Sequence, residues 1–182
     1  MFIEPHYIVK PQFMHMAGHY DRNGKLCSLV FETNRILIVD KSPLEIIADS
    51  IRWIGFNLKG AMESARWLLG STHMCPLVVN PIQQIVLFPT RAARHEDTIW
   101  FNPEPIFRTY SQRRNTIILF TNGSTLTVPI RLTSFNTKLQ SAEQLKIITR
   151  ATANHTFSFI LDPATRPVRK KRRKNKKRQA PK

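Results

Sequence analysis

The stretch TIILFTNGSTLTVPI, residues 116–130, carries the clearest fold information in the chain. Two runs rich in β-branched residues flank Asn122-Gly123, a pair that tolerates positive φ and is typical of a β-hairpin. We therefore predict strands over residues 116–120 and 125–130. Pro129 has no N–H to donate to a neighbouring strand, so the second strand is expected at a sheet edge or at a bulge.

A second hairpin is predicted upstream. Asn23-Gly24 separates two strand-like segments, residues 13–20 and 26–32, and again supplies turn residues between apolar runs. The short apolar run at residues 36–39 predicts a third strand. Further short strands are expected at residues 84–88 and 98–101, in a part of the chain punctuated by prolines.

Helices are predicted after these strands. The string SPLE at residues 42–45 combines a cap residue, a proline at the first helical position and a glutamate three residues after the cap. Apolar residues then recur at helical spacing as far as Ile54, and Gly55 ends the helix. A second helix is expected over residues 58–69, closed by Gly70, and a third after Ser141. The fold class is therefore α+β, mainly antiparallel β-strands with two or three helices, plus a disordered basic C-terminal tail.

Charge is distributed unevenly along the 182 residues, whose net charge is +16. Eleven of the 28 Lys and Arg residues, and none of the 12 acidic ones, lie in residues 166–182. This segment has no large apolar residue after Val168, so it cannot bury enough surface to order itself. We divide the chain into a domain at 1–165 and a tail at 166–182. The basic excess predicts a polyanionic partner, with nucleic acid favoured over a membrane surface.

The sequence favours a cytoplasmic location over a membrane or secreted one. No run approaches the roughly 18 apolar residues of a membrane span, and the first residues lack the layout of a secretory signal. We expect a cytoplasmic, nucleoid-associated protein with no membrane partner. Cys27 and Cys75 are interpreted as small apolar side chains rather than as redox or metal groups.

Enzyme motifs are absent from the sequence. There is no phosphate-binding loop and no G-x-S-x-G nucleophile elbow. The string HMC at residues 73–75 lacks a closely spaced second ligand pair, so no metal is expected. We predict a protein that is not an enzyme and needs no cofactor. A nuclease that uses Glu96 and Asp97 with magnesium remains an alternative from another class.

Two windows without acidic residues, 64–95 and 105–142, contain basic residues interleaved with amides and aromatics. Such surfaces are typical of phosphate contact and groove insertion, although a solvated basic face would have the same composition. Phe107, Tyr110 and Gln112 lie in the second window. The candidate DNA-binding residues of the domain are Arg91, Arg94, Arg108, Arg113, Arg114, Arg131 and Lys138, and those of the tail are Lys170, Lys171, Arg172, Arg173 and Lys174.

The helices predicted at residues 42–54 and 58–69 could also form a helix-turn-helix. The second helix would then present Lys59, Glu63 and Arg66 to the groove, and the glutamate would repel phosphate. We favour a helical hairpin that covers a sheet.

Four strings decide between these alternatives: NGKLCS, SPLEIIADSIRWIGFNLKGA, PLVVNPIQQIVLFPT and FTNGSTLTVPIRLTSFNTKL. In content and order they resemble the ComK family of competence transcription factors, over residues 23–139. The resemblance implies a DNA-binding transcription activator of DNA-uptake genes that acts with RNA polymerase at target promoters. It also implies binding to paired AT-rich boxes of double-stranded DNA, largely through the minor groove, as a homo-oligomer (a dimer or a pair of dimers).

The resemblance further implies delivery to a Clp protease by an adaptor. Two features depart from the family pattern. Residues 170–178 are more basic than the family's C-terminal region, and FSFILDPATRP at residues 157–167 occupies the adaptor-recognition region without a clear match. Control by the adaptor is therefore left open. The main alternative function is an RNA-binding or ribosome-associated protein whose basic tail threads structured RNA.

Overall fold

The computed structural model describes residues 3–70 and 73–154. Its strands, in chain order, are β1 (Ile3–Glu4), β2 (Phe13–Tyr20), β3 (Leu26–Glu32), β4 (Ile36–Val39), β5 (Leu77–Asn80), β6 (Ile85–Pro89), β7 (Trp100–Phe101), β8 (Ile106–Gln112), β9 (Asn115–Phe120) and β10 (Thr125–Val128). Its helices are α1 (Pro43–Trp53), α2 (Leu58–Leu69) and α3 (Leu132–Asn154). The predicted tail lies outside the described residues.

Two sheets form the centre of the fold. The larger has seven strands in the order β1-β4-β3-β2-β7-β6-β5, and the smaller has three in the order β10-β9-β8. All the pairings are antiparallel except β1 with β4. The α+β class with mainly antiparallel strands and three helices is therefore confirmed for the described residues.

The seven-stranded sheet is covered on both faces. On β6, Ile85 and Leu87 belong to a core cluster with the buried residues of α1. Val86 and Phe88 alternate with them and join a second cluster with residues of β9, β10 and α3. Because neighbouring side chains of a strand point to opposite faces, the sheet is the middle layer. Helix α1 lies on one side, and the three-stranded sheet with α3 lies on the other. Helix α2 packs at the β5 edge and contributes side chains to both clusters.

The hairpin predicted at residues 116–130 is confirmed. β9 and β10 pair antiparallel with Thr125 opposite Leu119, and Gly123 adopts a φ of +83° in the turn. β10 is an edge strand, as Pro129 indicated, but it ends at Val128 rather than at residue 130. The strand ends early because a proline offers no N–H to continue the ladder.

The upstream hairpin is also confirmed, with a longer turn than Asn23-Gly24 alone suggests. β2 and β3 are joined by residues 21–25. The Asp21 carboxylate accepts hydrogen bonds from the N–H groups of Asn23 and Lys25, each 2.8 Å long. Gly24 has a φ of +76° while Asn23 does not enter the positive-φ region. An aspartate-centred turn therefore closes this loop.

The two predicted N-terminal helices form with the expected caps. Ser42 and Glu45 make a complete capping box with Pro43 in the first turn. Asn57 caps α2 at its N-terminus, and Gly70 ends it in the left-handed conformation. Both helices pack on the seven-stranded sheet at β5, which agrees with a helical hairpin covering a sheet.

The third helix begins at Leu132, earlier than the start predicted after Ser141. The first half of the helix was not predicted because it is rich in hydroxyl residues. These residues have low helix propensity and compete with the backbone for hydrogen bonds. Here Thr137 and Ser141 donate their hydroxyl hydrogens to carbonyls four residues earlier in the helix. Burial of Phe135, Ala142 and Leu145 in the second core cluster stabilises the helix despite this competition. Among the described residues, no helix has both the length and the apolar character needed to cross a bilayer.

Candidate nucleic-acid interface

A tight hairpin between β8 and β9 carries two of the candidate arginines at its tip. Gln112 pairs with Asn115, so Arg113 and Arg114 alone form the turn. Arg113 adopts a φ of +56°, in a region where a side chain costs roughly 1–2 kcal/mol relative to glycine. Both side chains are exposed. Two cations therefore extend from a turn at one end of the three-stranded sheet.

The strand that leads to this tip is exposed along its length. In this described strand, β8, no side chain is buried. Phe107 is 69% exposed and Tyr110 is 40% exposed. The Arg108 guanidinium lies 5.3 Å from the centroid of the Tyr110 ring, within cation–π range. β8 thus presents a cation and two aromatic rings to solvent, next to the cationic tip.

The β8–β9 hairpin is attached to the residues around the start of α3. The Thr116 hydroxyl donates to the main-chain oxygen of Ile130, and the Thr109 hydroxyl donates to the Asn136 side-chain oxygen. Arg131 follows directly and is exposed. Because Thr116 comes two residues after the tip, these contacts place Arg131 at the same end of the small sheet as Arg113 and Arg114.

Arg91 reaches this end from the other sheet. It follows β6 and lines a cleft of about 350 Å³ together with Pro129 and Ile130. The structure therefore places Arg91 in the same cleft as Ile130, the residue before Arg131. The acidic residue Asp97 lines the same cleft.

Arg94 and Lys138 are placed elsewhere. Arg94 is exposed further along the loop after β6, beside a separate pocket lined by Ser42 and Glu96. Lys138 lies two residues after Asn136, about 200° around the helix from the side that contacts β8. Its Nζ lies 3.2 Å from the Met74 sulfur, and desolvation lowers its pKa. Neither residue joins the hairpin tip.

The five candidate residues of the tail lie outside the described residues. They are Lys170, Lys171, Arg172, Arg173 and Lys174. Their role as a DNA-binding arm stays a prediction from the sequence.

The carboxylates of the nuclease alternative have other contacts. Glu96 accepts a hydrogen bond from the Tyr20 hydroxyl, which raises the pKa of that tyrosine. The Asp97 carboxylate lies 3.9 Å from Nδ1 of His95. Within residues 3–70 and 73–154, no three His, Cys, Asp or Glu residues come together as a metal site. Glu96 and Asp97 are therefore each occupied with a neighbouring side chain, Tyr20 and His95.

The surface of α2 that a helix-turn-helix would use is exposed as well. Lys59, Glu63 and Arg66 all face solvent, and Trp67 beside them is 82% exposed. The glutamate stands within a turn of both basic residues, so this surface has mixed charge. The hairpin tip has no acidic neighbour in sequence.

Comparison with known proteins identifies the family. The family model described as ComK protein matches residues 4–154. The chain belongs to the ComK family. The predicted resemblance over residues 23–139 is therefore confirmed, and the match extends beyond it at both ends.

The ComK-family chain also resembles a characterised protein. The Competence transcription factor of Bacillus subtilis (strain 168) is 28% identical over 126 residues. The matched part covers 68% of this chain and 65% of the relative, so the chain spans just under two thirds of the relative's length. No solved structure matches the chain.

Sequence reasoning named the arginines of this ComK-family interface but missed the strand and the turn that present them. The string SQRRN at residues 111–115 contains no glycine or proline to indicate a two-residue turn. Residues 106–112 give only a weak strand signal. None of their side chains is buried, so no face of the strand requires a hydrophobic alternation in the sequence.

Proposed function

We propose that this ComK-family chain is a DNA-binding transcription activator of competence genes, and not an enzyme. Family membership and the name of the Bacillus subtilis relative support this assignment. The observation that carries it is the two-residue turn in which Arg113 and Arg114 extend from one end of the three-stranded sheet, with Arg131 at the same end and Arg91 in the cleft beside Ile130. An exposed cationic turn of this size fits a groove of duplex DNA.

The groove we assign is the minor groove of AT-rich DNA. A-tracts narrow this groove and strengthen its negative potential, which attracts inserted arginine side chains. Arg113 and Arg114 enter the groove, while Arg131 and Arg91 contact the phosphates on either side. Minor-groove edges distinguish little beyond A·T from G·C. Selectivity therefore comes mainly from groove width and from the ease with which the DNA bends.

The assembly and partners follow from this function. Paired AT-rich boxes call for two copies of the hairpin, so we propose a homo-oligomer, a dimer or a pair of dimers, on the DNA. RNA polymerase at the target promoters is the proposed partner in activation, and a Clp protease adaptor is the proposed route of removal. The protein works in the cytoplasm at the nucleoid. The domain at 1–165 selects the site, and the tail at 166–182 adds affinity for any phosphate backbone.

RNA binding is a second candidate because of one observation. Phe107 and Tyr110 are exposed on the surface of a β-sheet, where aromatic rings stack unpaired bases in many RNA-binding domains. A competition assay separates the two functions. AT-rich duplex DNA should displace labelled AT-box DNA at lower concentration than transfer RNA or ribosomal RNA does. The reverse order would indicate that the exposed surface of the three-stranded sheet binds RNA.

The choice of groove is tested by blocking each groove in turn. A drug that occupies the AT minor groove should release the protein, whereas methylation of guanine N7 in the major groove should leave binding unchanged. Alanine at Arg113 and Arg114 should weaken specific binding more than alanine at Lys59 and Arg66, a matched pair of exposed basic residues on α2. The opposite result in both assays would assign recognition to α2 in the major groove.

A further inference from the structure

An apolar groove lies where α2 and α3 approach the edge strand β5. Its volume is about 280 Å³. Most of the lining is apolar and includes Ile51, Ile54, Phe56, Ala61, Leu68 and Val78. The polar groups along it are neutral: Asn57, Ser64 and Thr149. A groove of this composition selects an apolar occupant and offers no counter-charge to a basic one.

Large apolar side chains remain exposed along the rim. Phe56 lines the groove and is 59% exposed, and Ile82 is 82% exposed directly after Pro81, which also lines it. Single exposed apolar residues are ordinary, but two at the rim of an apolar groove indicate a surface that is covered by something else.

The chain itself supplies an apolar segment close to this groove. α3 reaches the groove at Thr149 and ends at Asn154. The sequence then reads HTFSFILD at residues 155–162, with four large apolar residues within positions 157–161. After Val168 it contains no further large apolar residue. Of the sequence that follows α3, residues 157–161 are therefore the part whose chemistry matches the groove.

The distance along the chain allows this contact. Thr149 and Asn154 are five helical steps apart, which corresponds to roughly 7.5 Å of helix axis at about 1.5 Å per residue. Seven residues, 155–161, span at most about 23 to 25 Å when extended. The segment is therefore long enough to turn back past the end of α3 and reach the groove at Thr149.

We propose that the groove bounded by α2, β5 and α3 binds residues 157–161 of the same chain. A segment tethered this closely has an effective concentration of order millimolar, so it outcompetes the same segment of a second copy at micromolar protein. The basic tail, which begins at Arg166, then leaves the protein from this edge. The inference does not depend on the proposed DNA-binding function.

A disulfide in the full-length protein tests the contact directly. Ala61 lines the groove, so Ala61→Cys with Phe159→Cys should form a disulfide within one chain under mild oxidation. The product is identified by mass spectrometry of non-reduced peptides at low micromolar protein. The control pairs Phe159→Cys with Ile36→Cys, which is 52% exposed on β4, towards the opposite edge of the large sheet. The 61–159 disulfide should exceed the 36–159 disulfide at least tenfold.

Two results would overturn the proposal. Disulfides between residues 61 and 159 of different chains would assign the groove to a second copy. Equal yields from the two pairs would show that residues 157–161 do not occupy the groove.

A stability measurement decides the matter if the cysteine variant does not fold. Phe159→Ala should lower the melting temperature by about 4 to 8 °C, because it removes a buried aromatic side chain. It should also increase the binding of a hydrophobic dye at the uncovered groove. Ile147→Ala, at a position 65% exposed on α3, is the matched control and should change neither quantity. A melting temperature unchanged by Phe159→Ala would refute the contact.

Discussion

The Thr116 hydroxyl donates a 2.7 Å hydrogen bond to the main-chain oxygen of Ile130. Thr116 is fully buried, and this bond joins β9, two residues after the arginine turn, to the residue before Arg131. It adds to the β9–β10 pairing, in which Val128 lies opposite Thr116. Removing it takes away one of the links between the arginine hairpin and the start of α3 without removing any charge.

Thr116→Val should destabilise the fold by about 1–2 kcal/mol, because the carbonyl of the half-buried Ile130 loses its hydroxyl partner. Affinity for AT-box DNA should fall as well, while the dependence of affinity on salt stays the same, since no phosphate-binding charge is lost. Urea unfolding and salt titrations measure the two effects. Thr125→Val, on the exposed side of β10, is the control and should change stability by no more than about 0.5 kcal/mol. Lost stability with unchanged affinity would show that the link does not orient the hairpin.

Arg113→Gly separates the conformational role of this residue from its charge. Glycine adopts the φ of +56° without a side-chain clash, so the free energy of unfolding should stay the same or rise by up to about 1 kcal/mol. The slope of log affinity against log salt should flatten by about 0.9 if the arginine neutralises one phosphate. Gln84→Gly, which relieves the same φ of +56° without loss of charge, should leave the slope unchanged. A slope unchanged by Arg113→Gly would remove this residue from the interface.

His15 should make the stability of the protein depend on pH. Its ring stacks on Phe31, Phe101 and Phe120 at 4.2 to 5.6 Å, and burial lowers its pKa from 6.5 to about 4. Between these values the unfolded chain binds a proton that the folded protein does not. The contribution of neutral His15 to the free energy of unfolding is therefore fully present above pH 6.5. It declines as the pH falls to about 4, by about 3 kcal/mol in total.

The measurement is the free energy of unfolding from pH 4 to 7. His15→Phe should remove this part of the pH dependence while keeping an aromatic ring in the stack. His19→Phe, on the exposed end of the same strand, should retain the dependence of the unsubstituted protein. Identical pH profiles for His15→Phe and the unsubstituted protein would contradict the prediction.

Removal of the tail at 166–182 should lower the affinity for DNA without changing the stability of the domain. The melting temperature should stay almost the same, because this segment has no large apolar residue after Val168. If about five of its eleven basic residues contact phosphates at once, the slope of log affinity against log salt should flatten by roughly 4 to 5 units. Cognate and random duplexes should lose affinity about equally. Loss of discrimination with retained non-specific binding would make the tail itself the groove reader.

Much of the fold follows from local sequence. Asn122-Gly123 and the string SPLE at residues 42–45 specify a turn and a helix start through contacts within a few residues. The family was recognised from four contiguous strings, and the position of the basic tail is a matter of composition. Such local patterns predict structure without any information about what packs against them.

The set of residues that forms the candidate interface depends on contacts between distant parts of the chain. The first half of α3 has weak helix propensity and forms because Phe135 and Ala142 are buried against the large sheet. The turn at Arg113-Arg114 exists because β8 pairs with β9, although no residue in it favours a turn. Arg91 shares a cleft with Ile130, the residue before Arg131, although the two lie about forty residues apart in the chain. Lys138, in the same acid-free window as Arg131, lies on another side of its helix. The sequence by itself determined which residues are basic and which segments turn, because those properties are local. Tertiary structure alone decided which of the basic residues share a surface, because that depends on pairing and burial between residues far apart in the chain.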